Sequence, residues 1–220
     1  MKKNERNWCR CGIVFTCAFA IWTALILIID VQPLGQKGTD IGFAALNCRF
    51  HKLTGVHMTL YTITDWMGIV PIFVCLIFAA IGLIQLIKRK SLFKVDSDIL
   101  ILGAYYIIVM IAYSIFEIIT VNYRPVLING KLEASYPSST TLLVLCVMPT
   151  LIDQVQRRLP SVSLRRIIRV AAVFFSVFTV AGRLISGVHW LTDIIGGVLL
   201  SMGLFSFYRA AVCSSAGKHS

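Results

Sequence analysis

Three residues of the segment AGRLISGVHWLTDIIGG, residues 181–197, could do chemistry together: Arg183, His189 and Asp193. They sit near the end of a very apolar chain, where ionisable side chains are costly and mark function. His189 and Asp193 are four residues apart. If a helix begins near Val188, just past Gly187, the two share one face of it. A carboxylate one turn away can accept a hydrogen bond from one imidazole nitrogen. That fixes the tautomer and leaves the other nitrogen as nucleophile or base. Arg183, across a glycine-containing turn, can face the same pocket and grip a phosphate with two N–H groups. Arg124-Pro125 brings a second guanidinium. Pro137-Ser138-Ser139-Thr140 reads as a helix start, whose free N–H groups attract anions and whose hydroxyls add donors. Singly, each has an ordinary explanation: a surface charge, a helix start, an interfacial pair. Jointly they describe a phosphoryl-transfer site. His51 and His57 read as solvated loop residues, and Gly196-Gly197 as a close helix contact.

The elements that must position these groups are membrane helices. The chain of 220 residues is 57% hydrophobic and 14% charged, which excludes an ordinary soluble domain. Uncharged apolar runs cover Cys11–Ile29, Trp66–Ile87, Ile99–Phe116 and Ala134–Ile152. Two shorter ones cover Val170–Gly182 and Ile194–Tyr208. A spanning helix needs about 20 apolar residues, so the last two reach that length only by taking in Arg183, His189 or Asp193. The expected fold is all-α, a bundle of six transmembrane helices read as one domain over 1–220, with the motif-bearing region at about 117–197. MKKNERNWCR precedes a run too long for a signal peptide, with no cleavage site after it, so the first span is read as retained.

The net charge of +11 does not point to nucleic acid, because 15 of the 21 basic residues fall in alternate loops. These are Lys2, Lys3, Arg6 and Arg10; Lys88, Arg89, Lys90 and Lys94; Arg157, Arg158, Arg165, Arg166 and Arg169; and Arg209 and Lys218. The positive-inside rule then places both termini in the cytoplasm and the Arg183–Asp193 segment outside. The basic loops can also touch anionic headgroups of membrane lipids. In the first outer loop, TDIGFAALNCRFHKL has Thr39 or Asp40 as an N-cap and a helical apolar pattern. It predicts a short extracytoplasmic helix that lies on the membrane or caps the bundle. The seven cysteines show neither a disulfide framework nor a metal pattern and read as packing residues.

These residues resemble the type 2 phosphatidic acid phosphatase superfamily, in its membrane branch. The family's third motif is Ser-Arg, five residues, His, three residues, Asp. Here it reads Gly182-Arg183, LISGV, His189, WLT, Asp193. The first motif ends in Arg-Pro, as at Arg124-Pro125, and the second is Pro-Ser-Gly-His, where this chain has Pro137-Ser138-Ser139-Thr140. The similarity runs over roughly residues 60–210. It implies that His189 is the nucleophile that forms a phosphohistidine, oriented by Asp193. Arg124 and Arg183 would hold the phosphate, with Ser138 and Ser139 at the helix start. No metal and no cofactor is implied.

At three motif positions the chain departs from the family, and one of them is Ser139 in place of the Gly of the second motif. Glu117 replaces the family's Lys, and Thr140 replaces the His that protonates the leaving group. The resemblance thus implies a phosphatase of a lipid phosphate or diphosphate, at the outer face of a bacterial plasma membrane. A site without its acid favours polyprenyl diphosphates such as undecaprenyl diphosphate, whose leaving group departs unprotonated. The competing reading is a catalytically degenerate relative that binds lipid phosphates or serves a structural or regulatory role in the membrane. A transporter is disfavoured by the lack of broken-helix symmetry.

Overall fold

The computed structural model describes residues 2–216, so Lys218 lies outside the described part. The protein is 77% helical. Its helices are α1 (Lys2–Ile28), α2 (Ala44–Thr54), α3 (Met58–Met67), α4 (Ile69–Arg89), α5 (Ser97–Ile118), α6 (Ser139–Arg158), α7 (Val162–Ile185) and α8 (Leu191–Ala216). Among the described residues, six stretches are long and apolar enough to cross a membrane, with α3 and α4 joined through Gly68 into one of 32 residues, Met58–Arg89. Among the described residues there is no β-strand, only isolated bridges.

Burial sorts the helices into two kinds. Within their apolar windows, α6 is 61% buried and α8 56%, whereas the other four spans are 17–22% buried. The two interior helices have the lowest mean hydropathy, 1.2 and 1.5, against 1.8–2.8 for the rest. The reason is physical. A helix facing lipid must be apolar all round, while one enclosed by protein can carry polar groups if neighbours satisfy them. The apolar runs of the last two spans look short because lipid-facing α7 continues through Arg183, whose side chain is buried, and the enclosed α8 starts early enough to include Asp193. The fourth span departs from the sequence reading at its start. Residues 134–138 are loop, and α6 begins at Ser139 behind Pro137.

The six crossings leave two ends. One carries the α4–α5 and α6–α7 connections, with Arg158 paired to Asp96 and Asp98, and Asp153 paired to Arg157 and Arg209. The other gathers α2, the connection from α5 to α6, and the turn between α7 and α8. The sequence-predicted helix of the first loop exists, but its cap differs. Residue 43 is the N-cap, in left-handed conformation, and Asp30 Oδ2 accepts the Ala45 N–H at 2.7 Å from fifteen residues upstream. Thr39 and Asp40 lie before a bridge between Gln32 and Ile41 and do not cap it. The helix packs onto α8 and caps the bundle.

Candidate active site

The connection from α5 to α6 is a short hairpin. Asn129 and Gly130 both have positive φ, 51° and 74°, at its tip, as an Asn-Gly turn requires. Bridges pair Ile128 with Lys131 and Tyr123 with Ala134. The ladder continues as the Arg124 N–H donates to the Glu133 carbonyl at 3.0 Å. Arg124 and Glu133 are therefore cross-strand neighbours, and Arg124 Nε lies 3.2 Å from Glu133 Oε2.

Arg183 comes from the last turn of α7 and is only 1% exposed. Its Nη1 contacts Asp65 Oδ1 of α3 at 3.3 Å. Both guanidiniums lie against one aromatic ring, that of Tyr61, one helical turn before Asp65. The Arg183 Cζ is 4.9 Å from the ring centre and that of Arg124 5.7 Å. A ring face attracts each cation by about 0.5–2 kcal/mol and so offsets part of their mutual repulsion. Arg124 Nη1 and Arg183 Nε are buried without hydrogen-bond partners. Orphaned donors on two converging cations describe a place prepared for an anion.

These groups line a cavity of about 610 Å³. Tyr61 and Asp65 of α3, Tyr113 and Glu117 of α5, Arg124 and Glu133 of the hairpin, Ser139 of α6 and Arg183 of α7 form its walls. The three carboxylates differ. Asp65 and Glu133 are ion-paired, while Glu117 has no cationic partner among the described residues. Ser139 reaches the cavity. Ser138, the N-cap of α6, is fully buried, with an unpartnered Oγ and an N–H that donates to the Asp193 carbonyl at 3.1 Å. Thr140 is buried with its methyl facing Gly68 and does not line the cavity.

His189 corrects one detail of the sequence reading. It does not lie on α8 but in the turn before it, because the helix begins at Leu191. Asp193 is the third residue of that helix. Its Oδ2 reaches back to accept the Trp190 N–H at 2.8 Å, as a carboxylate in the first turn commonly does. The His189 Nδ1 is 3.7 Å from Asp193 Oδ2, beyond hydrogen-bond range, and 3.1 Å from the Ser135 carbonyl oxygen. A carbonyl can only accept, so Nδ1 carries the proton and Nε2 is the nitrogen with the free lone pair. Nε2 in turn lies 3.4 Å from Arg183 Nη2. Burial, reinforced by the charges of Arg124 and Arg183, holds the imidazole pKa well below its ordinary value. The ring is neutral at neutral pH. Asn122 Nδ2 supports Asp193 Oδ1 from the hairpin side at 3.4 Å.

A model of the PAP2 superfamily matches residues 98–213, just over half of the chain. The chain belongs to the PAP2 superfamily. It has the membrane phosphatase fold of that family. The crystal structure described as the first transmembrane PAP2-type phosphatidylglycerolphosphate phosphatase from Bacillus subtilis superposes with a TM-score of 0.60. That alignment covers 94% of this chain and 96% of the other, at 18% identity. No curated protein matches the sequence significantly. The PAP2 match includes the hairpin, α6, α7 and α8. It leaves out Tyr61, Asp65 and the whole of α2. Sequence reasoning missed Tyr61, Asp65, Glu133, Asn122 and Ser135. Only Asp65 carried a signal, as an ionisable residue next to an apolar run, and the Asn-Gly dipeptide announced the hairpin that pairs Glu133 with Arg124. His51, read as solvated, is half-buried, with its ring 5.5 Å from Trp190. His57 is exposed, as expected.

Proposed function

We propose that the protein is a membrane phosphatase that cleaves a lipid phosphate or diphosphate through a phosphohistidine at His189. One observation carries this reading: the unprotonated Nε2 of a buried neutral imidazole touches one of two guanidiniums with unpartnered N–H groups. In this account Arg183 lines the cavity and covers Nε2. A phosphate that draws the guanidinium onto its own oxygens uncovers the lone pair. Nε2 then attacks phosphorus, and the bond to the leaving oxygen breaks. The phosphorylated ring is cationic. The Ser135 carbonyl and the nearby Asp193 carboxylate stabilise it. Water attacks phosphorus next, the N–P bond breaks, and neutral imidazole and dihydrogen phosphate result. Ser139, with the free N–H groups of the first turn of α6, adds donors. The lipid chain has a place to lie. An apolar groove of about 580 Å³ between α4, α5 and α6 includes Ser114 and Ile118, and the adjoining turn of α5 gives Tyr113 and Glu117 to the cavity.

The leaving group decides the preferred substrate. From a monophosphate it is an alkoxide that needs a proton, and Thr140, turned toward Gly68, supplies none. From a diphosphate it is a lipid phosphate, a far weaker base. Loss of a general acid costs about 10²–10⁴ in rate, so a polyprenyl diphosphate should turn over faster than phosphatidate. Phosphate release by the purified protein in detergent checks this. Faster release from phosphatidate would overturn the diphosphate preference. Tight phosphate binding with no release from any lipid would favour the non-catalytic, lipid-phosphate-binding reading.

A second reading has its own observation. Glu117 lines the cavity without a cationic partner, so its carboxyl can serve as the proton donor that Thr140 is not. A monophosphate then becomes a good substrate, as the name of the Bacillus subtilis neighbour would suggest. Glu117→Gln is expected to slow monophosphate turnover by about 10²-fold or more and diphosphate turnover much less. Equal rates for the variant and the wild type on both substrates would remove Glu117 from the mechanism.

The orientation proposed is cytoplasmic termini and an outward-facing site, in a bacterial plasma membrane. Its support is that Arg6, Arg10, Lys88, Arg89, Arg157 and Arg158 all lie at the end opposite the cavity. Asn129→Cys, at the exposed hairpin tip in a background without the native cysteines, should react with a membrane-impermeant thiol reagent in intact cells. Labelling only after permeabilisation would reverse the orientation.

A further inference from the structure

The turn that carries His189 is held from two sides. The hairpin side belongs to the family-matched region: the Ser135 carbonyl accepts from the ring, and the Trp190 Nε1–H donates to the Tyr123 carbonyl at 2.7 Å. The other side is α2 and its flanking loops, outside that region. Here Asn47 is fully buried, and its amide ties the start of α8 to the loop that precedes α2. Its Nδ2 donates to the Thr192 Oγ1 at 3.0 Å and to the Gly42 carbonyl at 2.8 Å, and its Oδ1 accepts the Thr192 N–H at 3.3 Å.

Thr192 stands between His189 and Asp193, in the first turn of α8. Its N–H is one of those that the helix itself leaves without a partner. A side chain 145 residues away thus caps this helix. Trp22 adds a bond from α1, its Nε1–H donating to the Thr192 carbonyl at 3.2 Å. Just past α2, the His57 N–H donates to the Ser186 carbonyl at 2.9 Å. The same loop crosses Gly187 so closely that a Cβ there would sit 1.9 Å from the Gly55 carbonyl oxygen, at a φ of +69°. Both ends of the turn, Ser186 and Thr192, are therefore bonded to the α2 side.

We propose that Asn47 is a positioning residue for His189, fixing the start of α8 so that Nε2 stays in register with the Arg124–Arg183 pair. The proposal rests on the reading of His189 as nucleophile. The argument is one of alternatives. A buried amide that loses these partners pays the full cost of desolvation, so α2 and the α8 start remain docked. Without the amide, the Thr192 N–H and hydroxyl are orphaned instead, and the turn is free to seek other partners. The guanidiniums do not depend on this contact. Arg124 is held by the hairpin and Arg183 by α7, Tyr61 and Asp65. Phosphate capture and nucleophile position are thereby separable, which a general role in stability would not allow.

Asn47→Ala, Thr192→Val and Thr192→Ser in the purified full-length protein test this. A misplacement of about 1 Å can cost on the order of 10²-fold in rate, so Asn47→Ala and Thr192→Val should each lower kcat about 10- to 100-fold. KM and the inhibition constant of inorganic phosphate should stay near wild type. Thr192→Ser, which keeps the hydroxyl, should cost less than Thr192→Val. The double variant should be little worse than Asn47→Ala, because Thr192→Val removes a hydroxyl contact that Asn47→Ala already removes together with the bond to the Thr192 N–H. A readout without turnover is the ring tautomer, from ¹⁵N NMR of histidine-labelled protein: protonated at Nδ1 in the wild type and mixed in Asn47→Ala. Wild-type kcat and an unmoved tautomer in Asn47→Ala and Thr192→Val would overturn the proposal. So would parallel losses of kcat, phosphate affinity and melting temperature. An inert wild type whose tautomer still shifts in Asn47→Ala would contradict the catalytic reading and leave the positional one standing.

Discussion

His189→Ala should lower phosphate release by a factor on the order of 10⁴ or more, with the protein still folded and extractable. The expectation follows from how few groups can replace Nε2. The polar side chains that line the cavity are arginines, which have no lone pair to offer, carboxylates repelled by a phosphate dianion, and hydroxyls without a base beside them, and His189 lies just behind Arg183. The fold should tolerate the change, because the ring makes one bond to a backbone carbonyl and one contact with Arg183, and neither joins two helices of the bundle. Asp193→Asn should cost less in rate. The nucleophile remains, and Nδ1–H keeps its acceptor at Ser135, but the charge 3.7 Å away that favours the cationic intermediate is gone. The same variant should lower stability more than His189→Ala does, since Asp193 accepts from Trp190 and Asn122 in a fully buried place. Phosphate-release kinetics and a melting curve on the two variants check both halves of this contrast.

The second large effect is at Arg183. Arg183→Lys keeps the charge but should lower kcat/KM by about 10²–10³, comparable to removing one preorganised donor from a transition-state site. The guanidinium works in several directions at once. Nη1 faces Asp65, Nη2 faces Nε2, Nε has no partner, and the flat face lies on Tyr61. An ammonium cannot reproduce the planar fork or the stacking. Arg124→Lys should cost less, because it is Arg183 whose Nη2 contacts Nε2 and whose guanidinium lies closer to the Tyr61 ring. If lysine at 183 restored full activity, the two-pronged grip assigned to this residue would be wrong.

Much of this fold is legible in the sequence, and the misreadings share a cause. Three of the four lipid-facing spans announce themselves because lipid demands an unbroken apolar surface, whereas α7 carries Arg165, Arg166 and Arg169 near one end and the buried Arg183 near the other. The ends of α6 and α8 do not announce themselves, because those helices are enclosed by protein and carry Asp153, Thr192 and Asp193 where neighbours satisfy them. The Arg183–His189–Asp193 spacing marks the segment well, but it does not reveal that His189 precedes the helix, or that its ring bonds to Ser135 rather than to Asp193. That depends on where residues 134–138 pass, and no local pattern encodes their path. The partners of the guanidiniums were the least visible. Asp65 and Arg183 are separated by 118 residues, and only packing of α3 against α7 brings them together. Asn47 carries no local signal in the sequence beyond being one polar residue of the short helix in the first outer loop. Its burial follows from the docking of α2 on α8, which depends on Asp30 at the end of α1 capping α2.

The most direct test of the central claim is to catch the phosphoryl group on the protein. Purified protein is mixed with a polyprenyl diphosphate, quenched at alkaline pH to preserve phosphohistidine, digested and analysed by mass spectrometry. The account predicts phosphate on the peptide that contains His189, rising within the first turnover and missing from His189→Ala. Steady phosphate release with an unmodified His189 peptide, or with the label on another residue, would contradict it.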